Sequence, residues 1–345
     1  MKTDSAMAAH ASPEPTIHAT GRRLGGRPGL GWLRDFALIP ALVILFVLGA
    51  LVSPSFLTRD NLIGILGASA ALALVVVAET LIILTGKFDL SVESTVGFAP
   101  AMGAMLVIPA AAGGFGTELP VAAGLAATLL TGACVGLLNG LLVVKLRLNA
   151  FIVTLAMLIV LRGMLVGATR GSTLFDMPQP FFALASSTLL GLPWSVWLAA
   201  LVFAAAGVML RYHRLGRAVY AIGGNAPAAR AAGISVDRVT WGVFTLAGTL
   251  AALGGLILTG YVGAINANQG NGMIFTVFAA AVIGGVSLDG GKGGMFGALC
   301  GVLLLGMVQN LLTLAQVPSF WIQAIYGAII LGALMVAKLT GENQQ

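Results

Sequence analysis

The chain has 345 residues, of which 58% are hydrophobic and 9% charged, with a formal net charge of +6; its mean hydropathy is +1.00 and its pI about 9.7. A soluble globular domain carries roughly 25% charged residues, so this composition excludes both a water-soluble globule and a disordered chain and places the protein in a bilayer. Nucleic acid is excluded as the destination of the positive charge, because excess Lys and Arg in a membrane protein marks cytoplasmic loops.

Residues 1–34 are polar, Pro- and Gly-bearing and basic, with Arg22, Arg23, Arg27 and Arg34 and no apolar core ending in a cleavage site. They are expected to form a disordered cytoplasmic tail. From Phe36 onward, apolar runs near the ~20 residues needed to cross a bilayer recur between polar punctuation. They fall near 36–53, 61–85, 92–112, 119–144, 149–168, 192–210, 239–262, 273–288, 294–315 and 320–337. The fold expected is therefore an all-α integral membrane protein of about ten transmembrane helices over residues 35–338, followed by a short cytoplasmic tail, 339–345. The third run is interrupted by Pro100 and Pro109 and the eighth is short, so nine and eleven are the neighbouring counts. With the amino terminus inside, fifteen of the 18 Lys and Arg fall in cytoplasmic segments. Only Arg59 and Arg170 lie outside and Arg162 within a span, an asymmetry that supports an even count with both termini inside.

A shift of 170 positions aligns Gly136–Val166 with Gly306–Val336, with identities at Gly136 and Gly306 and at Leu141–Leu142 and Leu311–Leu312. It pairs helices four and five with nine and ten, which the topology orients oppositely. Two inverted five-helix halves are the architecture this suggests, as in transporters built from internal repeats.

Most connections are short, but Arg211 to Arg238 is a long basic cytoplasmic loop, RYHRLGRAVYAIGGNAPAARAAGISVDR. Within it Asn225 can cap a helix that starts at Ala226, ahead of Pro227, runs through Ala228 to Ala232 and stops at Gly233. A surface linker is the plainer reading of such a composition.

The arrangement of Ala228 and Ala229 ahead of Gly233 resembles the cytoplasmic loop by which permeases of ABC importers dock on their ATPase subunits. The resemblance extends over Leu215 to Val236, similar to the corresponding segment of ribose-type sugar permeases, with Gly216, Arg217, Ala221, Gly223, Asn225, Ala228, Ala229, Gly233 and Ile234 in register. FIVTLAMLIVLRG, Phe151 to Gly163, resembles the family's FIVTLG helix with its later Arg-Gly, here Arg162 and Gly163. Ala279 to Leu312 resembles its glycine-rich segment at Gly284, Gly285, Ser287, Gly290, Gly291 and Gly293. GKFDLSVES, Gly86 to Ser94, resembles GGIDLSVGS but carries Lys87 and Glu93 where glycines are usual.

This resemblance implies a permease of the ribose and monosaccharide import family, multi-pass in a bacterial inner membrane, that translocates a sugar or sugar-like solute by alternating access. It implies as partners a cytoplasmic ABC ATPase, a periplasmic sugar-binding protein and a second permease copy or close paralogue, besides membrane lipid. Gly216, Arg217, Asn225, Ala228, Ala229 and Gly233 are then the ATPase-coupling residues. An ion-coupled secondary transporter is the alternative. It gives no account of the docking pattern. An intramembrane enzyme would need paired catalytic groups that the spans lack, and Gly290 to Gly294 around Lys292 lacks the spacing of a phosphate-binding loop. No catalytic residue, cofactor or metal is expected; His10, His18 and His213 are scattered, and Cys134 and Cys300 read as packing residues.

Charged groups inside spans cost at least ~2.5 kcal/mol at a helix centre, so Glu79 and Arg162 each need a role. Glu79 either lines the path and accepts bonds from sugar hydroxyls or pairs with a neighbouring helix. Arg162 either snorkels outward or serves a structural or gating role. Asp89 and Ser91 either turn the chain and cap the third helix or face the path from a broken helix. Lys87 and Glu93 would form a local ion pair or alter the substrate. Phe151 and Thr154 complete the path candidates. Asn139 and Asn310 are expected to bond between helices, Trp194, Trp197, Trp241 and Trp321 to anchor span ends, and the outer loop from Thr169 to Gly191 to meet the binding protein.

Overall fold

The computed structural model describes residues 38–318 and, beyond them, 321–322, 324–329, 331–332 and 335. The amino-terminal tail, much of the tenth expected span and the carboxy-terminal tail lie outside the described residues. In chain order the longer helices are α1 (Ile39–Val52), α2 (Arg59–Leu84), α3 (Val92–Met105), α4 (Val121–Val144), α5 (Ala150–Thr169), α6 (Trp194–Tyr212), α7 (Arg214–Ala231), α8 (Val236–Val262), α9 (Met273–Ile283) and α10 (Met295–Leu314). Among the described residues six of these, α2, α4, α5, α6, α8 and α10, are long and apolar enough to cross a membrane, and α1 and α9 are shorter apolar helices. A two-residue hairpin, β1 (Thr188–Leu189) with β2 (Leu192–Pro193), is the small sheet between α5 and α6.

The helix ends follow local chemistry. Asp60 in the first turn of α2 favours its positive amino end. That helix stops where Gly86 takes a left-handed φ of 73°, which removes the Cβ penalty other residues would meet. Asn149 caps α5 by accepting from the Ile152 N–H at 3.2 Å, and Pro193 leads into α6. The third expected span is shorter than its apolar run. Pro100 is accommodated inside α3, but the helix ends at Met105 because the chain folds back through Gly113 and Gly114, and the Phe115 N–H returns to the Met105 carbonyl at 2.7 Å.

α2 and α8 form the centre of the bundle: α8 runs along α4, α2 and α3, and α2 also receives α10, α6 and α9. α5, by contrast, leaves Ile152, Ile159, Val160 and Met164 exposed. With no hydrophobic force between helices in lipid, close packing needs small residues at the crossing. At the α4–α8 crossing a Cβ on Gly136 would fall on the Phe244 carbonyl, one on Gly132 on the Gly248 carbonyl, and one on Gly248 2.8 Å from the Gly136 nitrogen. Asn61 of α2 and Asn310 of α10 exchange two amide bonds, at 3.0 and 2.8 Å, so Asn310 does bond between helices. Cys300 is buried, whereas Cys134 is exposed on α4 and packs no core. Trp241 is not a simple anchor, since its indole N–H donates to the Leu137 carbonyl across the same α4–α8 crossing at 2.9 Å.

Gly248→Val is expected to separate α4 from α8 and cost more than ~3 kcal/mol, seen as a lowered melting temperature of the protein in detergent. Gly163→Ala, where nothing lies within 4 Å of the added Cβ, is expected to change stability by no more than ~0.5 kcal/mol in the same melting assay.

Candidate functional site

The long basic loop is more ordered than its composition suggests. α7 occupies most of it as two helical pieces merged across Asn225, whose φ of −162° and ψ of 96° break the helix. The second piece is the short helix expected there: the Ala228 N–H donates to Asn225 Oδ1 at 2.9 Å. It ends at Gly233, with φ 83° and its N–H on the Arg230 carbonyl at 3.0 Å. The first piece, from Arg214 to Gly224, was not legible as a helix because its charges and glycines read as a solvated linker. His213 opens it by accepting from the Leu215 N–H at 3.2 Å, and buried Ala218, Val219 and Ile222 give it an inner face. Gly216 is buried where the chain doubles back on Leu210. Arg217 is exposed and donates to the Tyr212 carbonyl at 3.3 Å. The two alanines divide their roles. Ala229 is buried with Ile222 and Val236 in a small cluster, and Ala228 is exposed on the opposite side.

Gly86 and two glycine clusters distant in sequence, Gly223–Gly224 and Gly290–Gly291, meet where α7 touches the bundle. A Cβ on Gly223 would land on the Leu84 carbonyl and lie 2.5 Å from the Gly291 nitrogen; one on Gly290 would lie 2.7 Å from Gly86 Cα, and one on Gly291 2.7 Å from the Gly224 nitrogen. The Gly291 N–H donates to the Leu84 carbonyl at 3.0 Å, and the Tyr220 hydroxyl to the Gly293 carbonyl at 2.8 Å. α7, the end of α2 and the α9–α10 turn are thus joined backbone to backbone, an approach that side chains on these glycines would prevent.

From this junction residues 87–91 run back into the protein. Asp89 is buried, and its Oδ1 accepts from the Ser91 N–H at 2.9 Å and the Ser91 hydroxyl at 2.6 Å. Asn139 of α4 donates to Ser91 Oγ at 2.7 Å and reaches Asp89 at 3.5 Å. Glu79 of α2, with no exposed surface, accepts the Asp89 N–H at 3.1 Å. Asp89 and Ser91 turn the chain as expected, but neither caps α3, because the Ser91 side chain is engaged by Asp89 and Asn139 instead. Thr154 is buried too, with its hydroxyl on the Ala150 carbonyl at 2.9 Å. These residues come together around one turn of chain.

Arg162 does not snorkel. Its guanidinium donates to the Gln269 carbonyl at 2.9 Å and pairs with Glu93 of α3 at 3.4 Å. The ion-pair partner of Glu93 is therefore Arg162 and not Lys87. Sequence reasoning missed this pair and also Gln269, whose buried amide donates to the carbonyls of Val96 and Gly255 and to Thr259 Oγ1; no local pattern announces a contact between such distant positions. Phe151 lines a cavity of about 640 Å³ beside α7, with Lys87, Arg147, Arg230 and Asp237 among its walls. Burial holds the Lys87 ammonium pKa below the usual lysine value.

Asp89→Ala is expected to strand the two Ser91 donors and cost about 3 kcal/mol. Asp89→Asn, which keeps one acceptor oxygen, should lose less than half of that in the same denaturation measurement.

Comparison with known proteins places this geometry in a family. Residues 61–339 match the family described as branched-chain amino acid transport system / permease component. The ribose import permease protein RbsC of Escherichia coli (strain K12) is 38% identical over 309 residues, covering 88% of this chain and 94% of the relative. The L-arabinose ABC transporter permease protein AraH of Azospirillum brasilense is 33% identical over 324 residues, 94% and 92% of the two chains. The autoinducer 2 import system permease protein LsrC of Escherichia coli (strain K12 / DH10B) is 32% identical over 302 residues, 88% and 86%. No solved structure matches the chain. With most of its length aligned to permeases and its apolar spans in place, the chain belongs to this family of membrane permease components, as a transport subunit and not an enzyme.

Proposed function

We propose that this permease carries a monosaccharide-class solute into the cytoplasm of a bacterial cell, across the inner membrane, within an ATP-driven importer. The observation that carries the reading is the capped helix from Ala226 to Ala231, docked by Ala229 and presenting Ala228, in a chain whose relatives are import permeases for ribose, arabinose and autoinducer 2. The relatives favour this over the ion-coupled alternative.

The partners in this account are a cytoplasmic ATPase that meets Gly216, Arg217, Asn225, Ala228, Ala229 and Gly233, a periplasmic binding protein, and a second permease copy or paralogue. The exposed apolar face of α5 supports a lipid or permease neighbour there. Closure of the ATPase on ATP moves α7, and the glycine junction carries that motion to the end of α2 and to the α9–α10 turn. The bundle then shifts between outward and inward openings. Phe151 borders the inner mouth, and Arg162 the middle of the path. Glu79, Asp89, Ser91 and Thr154 set the turn that frames it. Ten spans in two inverted halves, with residues 1–34 and 339–345 as cytoplasmic tails, fit this scheme. Its support is the parallel between α2 with short α3 and α8 with short α9, each pair joined by a partly buried connection, and between α4 packed on α8 and α10 packed on α2.

Ala228→Glu puts a charge on the exposed face without touching the buried one. Co-purification of the ATPase with the permease is expected to fall at least tenfold while the melting temperature of the permease is unchanged; undiminished co-purification would remove α7 as the docking element.

A further inference from the structure

We infer that Glu93 is a positioning residue for translocation: one carboxylate clips the start of α9 and the guanidinium of Arg162 to α3, closing the middle of the path until the Leu174 loop is displaced. The inference rests on the permease reading above.

Glu93 is the second residue of α3 and buried. Its two oxygens are divided between elements: Oε1 faces Arg162 Nη2 of α5 at 3.4 Å, and Oε2 accepts the Ile274 N–H at 3.2 Å. Ile274 is in the first turn of α9, whose own N-cap position is Gly272 and supplies no side chain. A carboxylate from another helix therefore takes the capping role, favoured by the positive end of α9. Arg162 adds the third attachment through the Gln269 carbonyl. The backbone fits closely around it, because a Cβ on Gly97 would lie 2.6 Å from that same carbonyl oxygen.

The junction is connected to the far loop by hydrogen bonds. Leu174 and Ile265 exchange two backbone bonds, at 2.9 and 3.0 Å, so the loop between α5 and α6 is stitched to the α8–α9 connection that holds Gln269. The pair lies seven residues before the end of α5, roughly 10 Å along its axis. The Arg162 side chain keeps 18% exposure against 6% for Glu93, so the cation is the more open of the two. Neutralised in this way, the site presents no net charge to a neutral polyhydroxy solute. In this inference the attachment is either clipped or released, and a force on the Leu174 loop biases the two.

The test uses the complete complex of permease, cognate ATPase and binding protein in proteoliposomes, reading ATP hydrolysis before the binding protein is added. Glu93→Gln keeps an acceptor for Ile274 but gives Arg162 no counter-charge. Hydrolysis without binding protein should rise at least threefold per folded, assembled complex. Arg162→Gln, which leaves the α9 cap in place, should produce the same rise and provides the test should Glu93→Gln fail to assemble. Basal hydrolysis unchanged in both variants, or falling in step with folded yield, would overturn the inference and leave a merely structural pair. A wild-type complex that hydrolyses no ATP with or without binding protein would instead count against the permease reading.

Discussion

Gly223 rests on the Leu84 carbonyl at a distance no side chain would permit, and Gly290 and Gly291 close over it from the α9–α10 turn. This contact decides how the rest of the molecule can work. α7 packs its inner face against α6 and α8, and it meets the end of α2 and the second glycine-rich turn through short backbone contacts. Backbone contacts of this kind have no flexible side chains to absorb a displacement, and a shift of α7 must therefore be passed to α2 and the turn or open the contacts of Gly223 with Leu84 and of Gly224 with Gly291. α2 in turn is one of the two central helices, next to α8.

The polar residues within the bundle follow from the cost of charge in a membrane. Glu79 receives a backbone N–H, Asp89 is saturated by Ser91 and Asn139, and Glu93 and Arg162 neutralise each other. Of these carboxylates Glu79 is the one with a buried oxygen, Oε2, that has no hydrogen-bond partner. Each also joins segments that are distant in sequence: Glu79 ties α2 to the turn after it, Asn139 ties α4 to that turn, and Glu93 ties α3 to α5 and α9. Polar bonds inside the membrane therefore hold the broken parts of the fold, while the continuous helices pack through glycine and small apolar residues.

Much of this fold is legible in the sequence because a bilayer imposes length and polarity on every span. The run expected at 61–85 corresponds to Arg59–Leu84, that at 149–168 to Ala150–Thr169, and that at 294–315 to Met295–Leu314. The Asn225 cap and Gly233 stop were legible for the same local reason, since capping chemistry spans only three residues. What escaped reading depends on tertiary contact. The helix from Arg214 to Gly224 gains its order from burial of Val219 and Ile222, which a polar stretch does not reveal. The end of α3 at Met105 depends on a turn folding back onto it. Arg162 and Glu93 meet across 69 positions, where neither periodicity nor spacing brings them together, and the glycine clusters were visible one by one but not as a single junction.

The central claim is that the glycine junction transmits motion from α7 to the spans, and Gly223→Ala tests it most directly in the reconstituted complex. The account expects the ATPase to remain bound, because the exposed face around Ala228 is untouched, while hydrolysis stimulated by the loaded binding protein falls at least tenfold. Stimulated hydrolysis at the wild-type level with the ATPase bound would contradict it.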